Sequence, residues 1–225
     1  MKFLIVFSSF LATVSARYVL AVDTVPPVSE QTLKCLKTNS IYANFVRVYN
    51  PDANNGQGGF DEAAIETVNN TIRAGMIPEI YAMLSFTSSK KAYQQVDEIY
   101  NGMMKTGHRL STLWIQVAMR EKWSTIIADN VAFIQAAVNR AKQYGLRVGI
   151  YTERLEWDIL TGNYTGIGRD VLLWYWLYNG YGNKNESPAN FDDFVGFGPW
   201  AVPAVKQYGE VEQICGISVN RDVYQ

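Results

Sequence analysis

The chain holds one histidine and two cysteines in 225 residues, and this scarcity closes off much of enzyme chemistry. A serine or cysteine hydrolase needs a histidine fixed beside its nucleophile. The single His108 stands between Gly107 and Arg109 in a turn-like stretch instead. A zinc site needs several histidine or cysteine ligands. Gly56, Gly58 and Gly59 lack the strand and lysine of a phosphate loop. Asp52 and Asn54 alternate as in a calcium loop, but the required glycine and glutamate are missing, and an Asn/Gly turn is expected. Neither metal nor cofactor is expected.

Excess charge is also missing. Lysine and arginine total 20 against 21 acidic residues, a formal net charge of −1. Without a basic block, nucleic acid is not an expected partner, and no field draws the chain to an anionic membrane or wall. Recognition of any partner must come from a shaped site. The one long apolar run, Phe3 to Ala12, follows Lys2 and precedes the small residues Val14-Ser15-Ala16. That is the anatomy of a signal peptide, and the run is too short to span a bilayer. The expected organisation is a signal peptide over 1–16 and one domain over 17–225. The expected destination is extracellular: a gut lumen, a lysosome-related vesicle or the outside of the cell. In an oxidising compartment Cys35 and Cys215 predict one disulfide, with two buried free thiols as the alternative. Sequons begin at Asn69 and Asn163, while Pro188 spoils the one at Asn185.

What is present is a strand–helix alternation running the length of the chain. Strands are predicted over Tyr18–Asp23, Ala43–Tyr49, Pro78–Met83, Thr112–Val117, Arg147–Tyr151, Val171–Trp176, Ala204–Tyr208 and Ile217–Asp222. Between the middle ones lie helical stripes, such as Ile127, Val131, Ile134, Val138 and Ala141, ended by Gly145. Such units imply parallel pairing with right-handed crossovers. Eight strands in so short a chain predict a single irregular (β/α) TIM-like barrel with fewer full helices than strands. No helix seam or apolar strand edge calls for a second subunit, so a monomer is expected. Carboxylates and aromatics are the chemistry left, the equipment of a sugar-binding protein.

Several segments, in order across nearly the whole mature chain, resemble those of the family-25 (Chalaropsis-type) lysozymes. They are Tyr18-Val19-Leu20-Ala21-Val22-Asp23, Phe45-Val46-Arg47-Val48-Tyr49, Ala74-Gly75 leading into Glu79-Ile80-Tyr81, Val148-Gly149-Ile150-Tyr151-Thr152, Leu173-Trp174-Tyr175-Trp176, Val205-Lys206-Gln207-Tyr208 and Val219-Asn220-Arg221-Asp222. The likeness is to the amoeba- and nematode-type branch, whose members are linked to bacterial digestion and innate defence. The resemblance implies a cleft at the C-terminal ends of the strands, with Asp23 and Asp222 as its catalytic carboxylates on adjacent first and last strands. It also implies a peptidoglycan or related amino-sugar glycan as partner. Bottom-up, an aspartate at a strand end is more often a turn or cap residue.

One departure stands out. Where the family has Asp-x-Glu at the end of the fourth strand, this chain has Gln116 and Ala118. An amide exchanges no proton near neutral pH, and alanine offers nothing. Proton donation to the leaving oxygen is typically a contribution of about a hundred- to ten-thousandfold. Glu79, on the third strand, is a candidate substitute; its alternative is a structural carboxylate inside the barrel. Tyr81, Tyr151, Trp174 and Trp176 are expected to line the glycan groove, although strand aromatics are more often core. Two functions follow: a muramidase with a rearranged acid, or a glycan-binding protein that has lost turnover. A chitinase-type hydrolase is disfavoured because no strand reads Asp-x-x-Asp-x-Asp-x-Glu.

Overall fold

The computed structural model describes residues 18–225, so the expected signal peptide lies outside the described residues. All eight expected strands form: β1 Val19–Thr24, β2 Ala43–Asn50, β3 Ile77–Ala82, β4 Thr112–Gln116, β5 Arg147–Tyr151, β6 Leu172–Trp176, β7 Val205–Ile214 and β8 Ile217–Tyr224. Five helices of eight residues or more are described: α1 Glu30–Thr38, α2 Ala63–Arg73, α3 Ala92–Lys105, α4 Ile127–Gln143 and α5 Arg154–Thr161. The strands follow one another in a closed ring, β1 pairing with both β2 and β8. None of the described helices is long and apolar enough to cross a membrane.

Two apolar layers follow from the alternation of side chains along each strand. Inside the ring Phe45, Tyr81, Trp114, Tyr151 and Trp174 pack together with Ala21, Ala43 and Val205. The outward residues, among them Val46, Ile80, Leu113, Ile115, Val148 and Leu173, meet the helices. Ile134, Val138 and Ala141 of the α4 stripe are buried in this layer, as the spacing requires, whereas Ile127 at its start is exposed. Helices cover only the β1 to β6 side. Beyond β6 the cover is a long loop, anchored by Lys206, whose side chain is fully buried and whose ammonium pairs with Asp193 and donates to Pro188 O at 2.8 Å.

The pairing departs from the all-parallel expectation at the last strand. From β1 to β7 successive neighbours are parallel, but β8 runs antiparallel to both β7 and β1. The cause is local. Ile214 pairs with Ile217 across a two-residue turn in which Cys215 and Gly216 have φ of 54° and 79°. Two consecutive positive φ values make the tight hairpin connection whose twist matches its strands, and a hairpin can only join antiparallel neighbours. Cys215 is also disulfide-bonded to Cys35 of α1, as expected, with Cα atoms 5.9 Å apart.

The barrel interior is filled, which makes one glycine critical. A Cβ on Gly149 would lie 2.1 Å from the Trp114 ring, and that ring is fully buried with edge contacts to Phe45 and Trp174. Gly149→Ala is therefore expected to cost about 1–3 kcal/mol through overpacking. A urea-unfolding midpoint unchanged from wild type would show that the interior has slack there.

Candidate active site

The C-terminal ends of the parallel strands open at one end of the barrel, where α/β barrels carry their chemistry. Asp23, next to last in β1, reaches this mouth and is 7% exposed. Its register partner on β8 is Asn220, whose side-chain amide donates to both carboxylate oxygens, at 3.3 and 3.1 Å. Asp222 pairs with Ala21, so it sits one inward-facing position deeper and is 0% exposed. Its Oδ1 accepts from Trp174 Nε1 at 2.9 Å, and its Oδ2 has no partner among the described residues. The expected neighbourhood of the two aspartates is present, but Asp222 is not at the top of its strand. Because β8 descends, its C-terminal end points away from the mouth.

Burial governs the electrostatics of this pair. Removing a carboxylate from water disfavours its charge. Burial raises the Asp23 carboxyl to about 7, helped by the negative charge of Glu210 and opposed by the Asn220 hydrogen bond. Burial also raises Asp222 well above the carboxylate range, with the charge of Asp23 adding and the Trp174 hydrogen bond subtracting. Two such carboxyls retain a proton between them at neutral pH, and the titration belongs to the pair.

Gln116 closes β4 and pairs in register with Tyr151 of β5. Ala118 follows two residues later, half-buried, its carbonyl accepting from Trp123 Nε1 at 2.8 Å. Glu79 does not reach the mouth. It lies one inward-facing position below Tyr81 on β3, opposite Phe45, and accepts from Trp114 Nε1 at 3.1 Å. It also borders a cavity of about 260 Å³ with His108, Ser111 and Thr112, at the N-terminal end of the strands. Its structural alternative is the one the contacts describe.

The aromatics divide in the same way. Trp174 is 0% exposed, so it is core and cannot stack on a sugar as placed. Tyr151 stacks on it at 3.9 Å and donates to Gln207 Oε1, and Tyr81 meets both rings edge-on. These two tyrosines are buried and form the floor. Trp176 is half-buried and borders a pocket of about 300 Å³ with Glu153, Leu177 and Phe194. Beside Asp23, a second cavity of about 210 Å³ is lined by Thr24, Pro27, Ser218 and Asn220. Asn220 and Gln207 were missed from sequence. Asn220 was legible, since it stands two residues before Asp222 and so shares its face; Gln207 carried no comparable signal.

A closed barrel with one carboxyl at its mouth, a second buried just beneath it and aromatic side chains around them resembles the sugar-processing barrels. The comparisons agree. A family profile described as Lysozyme-like protein 1 matches residues 14–208. Lysozyme-like protein 7 of Caenorhabditis elegans is 44% identical over 210 residues, covering 93% of this chain and 73% of that one. Two solved structures share the fold. A muramidase from Acremonium alcalophilum has a TM-score of 0.68 at 13% identity, covering 92% of this chain and 93% of its own. A family GH25 lysozyme from Aspergillus fumigatus has 0.65 at 14%, covering 93% and 94%. The chain belongs to the lysozyme-like proteins of glycoside hydrolase family 25.

The Trp174–Asp222 contact can be tested directly. Trp174→Phe removes the donor and leaves Asp222 without a partner among the described residues. Leaving a buried acceptor unsatisfied costs about 1–3 kcal/mol, and the trimmed ring adds a cavity. Calorimetry should show a clear drop in melting temperature. Wild-type stability in this variant would mean that the contact contributes little.

Proposed function

We propose that the chain is a secreted lysozyme-like glycoside hydrolase directed at bacterial peptidoglycan, serving bacterial digestion or defence. The observation that carries this reading is the Asp23–Asp222 pair. With Gln116 and Ala118 where the family resemblance leads one to expect carboxylates, the chain needs another group that is protonated at neutral pH and faces the cleft. Asp23, raised to about 7 by burial, is such a group. In this reading Asp23 donates its proton to the glycosidic oxygen as the sugar–oxygen bond breaks; water then adds its hydroxyl to the anomeric carbon, and its remaining proton returns to the Asp23 carboxylate. Asp222 does not meet the substrate as placed; it acts through Asp23, as the buried partner with which the proton is shared. Trp176 and the exposed Tyr181 offer faces on which sugar rings can stack.

A second reading is favoured by one feature. Neither side chain at the end of β4 can exchange a proton, which suits a barrel that binds the wall without cleaving it. Reducing-end release from purified peptidoglycan separates the two. Hydrolysis by the wild type should fall at least a hundredfold in both Asp23→Asn and Asp222→Asn, with co-sedimentation retained. Co-sedimentation without release from the wild type would establish the binding reading. Full activity in both variants would remove the pair from the mechanism.

The pH dependence has a definite sign. Cleavage needs the protonated pair, so activity should decline as pH rises through about 7. Stability moves in the same direction. A carboxyl whose folded pKa lies above its ordinary 3.8 makes the folded state bind more protons between those values. Its stabilising contribution is full below about 4 and is lost as pH climbs through about 7. Asp23→Asn should flatten that slope and stabilise the protein above neutrality by on the order of 2–4 kcal/mol. Parallel pH–stability curves for variant and wild type would contradict it.

A further inference from the structure

The strand β7 loses register with β8 twice, between Gln207 and Gly209 and again between Gly209 and Glu212. At the second break Val211 adopts φ of 53°. A β-branched residue in the left-handed region is a true outlier, and such backbone persists only where its surroundings hold it. Here the holding group belongs to the site. Asn220 Oδ1 accepts from Val211 N at 3.1 Å, while the amide nitrogen of the same side chain donates to Asp23. The other flank is stitched to the loop that follows β6: Gly182 N donates to Glu210 O at 2.8 Å, and Tyr181 bridges Glu210 in parallel fashion. A bulge re-aims a side chain.

The side chain re-aimed is Glu210. Its Oε2 is buried and has no partner among the described residues. The Tyr178 hydroxyl adjoins its carboxylate, and burial together with that carboxylate raises the phenol above its usual range. Its charge also reaches Asp23. We propose that Glu210 is a positioning residue of this cleft, a third carboxylate that the strained bulge sets beside Asn220 and Asp23 and that acts on the reaction through Asp23. The proposal deepens the hydrolytic reading and rests on it for its catalytic consequence, but the placement of Glu210 is independent of turnover. The other groups facing Asp23 are Asp222 and Asn220 from β8, Tyr81 from β3 and Tyr151 from β5, while Arg47 of β2 acts on Tyr81. Glu210 is the carboxylate whose charge acts on Asp23, and it lies outside the inner barrel, so it can be neutralised without disturbing the packed floor.

The test is a carbon-13 carboxyl titration of Asp23 in the full mature protein and in E210Q, together with the pH profile of reducing-end release. In E210Q the Asp23 midpoint should move down by roughly half a unit. The alkaline limb of the activity profile should follow it. A merely structural Glu210 would alter stability and leave both midpoints in place. Should E210Q fail to fold, the unmodified protein still reports the coupling. Asp23 then shows a second inflection at the pH where the Glu210 carboxyl signal itself moves, and a single inflection overturns the proposal. An unmoved Asp23 in folded E210Q, with the wild type active, overturns the proposal and leaves the hydrolytic reading standing. A moved Asp23 in a protein that releases no reducing ends supports Glu210's role and refutes hydrolysis instead.

Discussion

The site depends on a two-residue turn. Cys215 and Gly216 both adopt positive φ, and that reversal sends β8 back down the barrel instead of up through a crossover. Running downward, β8 sets Asn220 opposite Asp23 and Asp222 opposite Ala21. A parallel last strand would invert that order and carry Asp222 to the rim. The disulfide from Cys215 to Cys35 ties the tip of this hairpin to α1 across 180 positions of sequence, so the turn is braced at its apex. Closing so long a loop restricts the unfolded chain, which is how such a link stabilises the barrel.

From that geometry follows an unusual division of labour between packing and polarity. The barrel interior is an aromatic stack in which Trp174 serves two masters: its ring packs on Phe45 and Tyr151, and its indole nitrogen holds Asp222. The carboxyl pair therefore rests on an apolar floor. That floor withholds water from both groups and so keeps a proton on them at neutral pH. The same logic recurs above the floor, where Glu212 is buried beside Glu186 and Arg221. Burial first, then Glu186, raises Glu212 to about 7. Burial thus raises one carboxyl on each of β1, β7 and β8: Asp23, Glu212 and Asp222.

Much of the architecture was legible before any coordinates. The eight strands and the helices ended by glycine follow from period-two and period-three-to-four patterns and from Gly75, Gly107 and Gly145, all at positive φ, and the disulfide from the presence of two cysteines behind a leader-like start. Less of the site was. Asp23 and Asp222 are neighbours, as expected, but the depth of Asp222 and the antiparallel β8 were not foreseen, because a Cys-Gly pair is a weak hairpin signal beside Asn-Gly or Asp-Gly. Trp174 and Glu79 were read as cleft candidates because their strand face is the correct one. Their height along the barrel axis, which keeps both from the mouth, is a property of the closed ring. Glu210 was invisible for a different reason: bulges break the alternation on which face assignments rest.

By itself, the sequence determined the class of fold, that a disulfide could join only its two cysteines, and that carboxylates and aromatics were the residue types expected to do its chemistry. These are matters of composition and local period. Only the tertiary structure decided which carboxyls are buried together, which tryptophan is core and which borders a pocket, and where the last hairpin bulges. Those outcomes depend on desolvation and register between strands up to 197 positions apart, as in the Asn220–Asp23 contact. Such distances in sequence carry no periodicity to read, because only ring closure makes these residues neighbours.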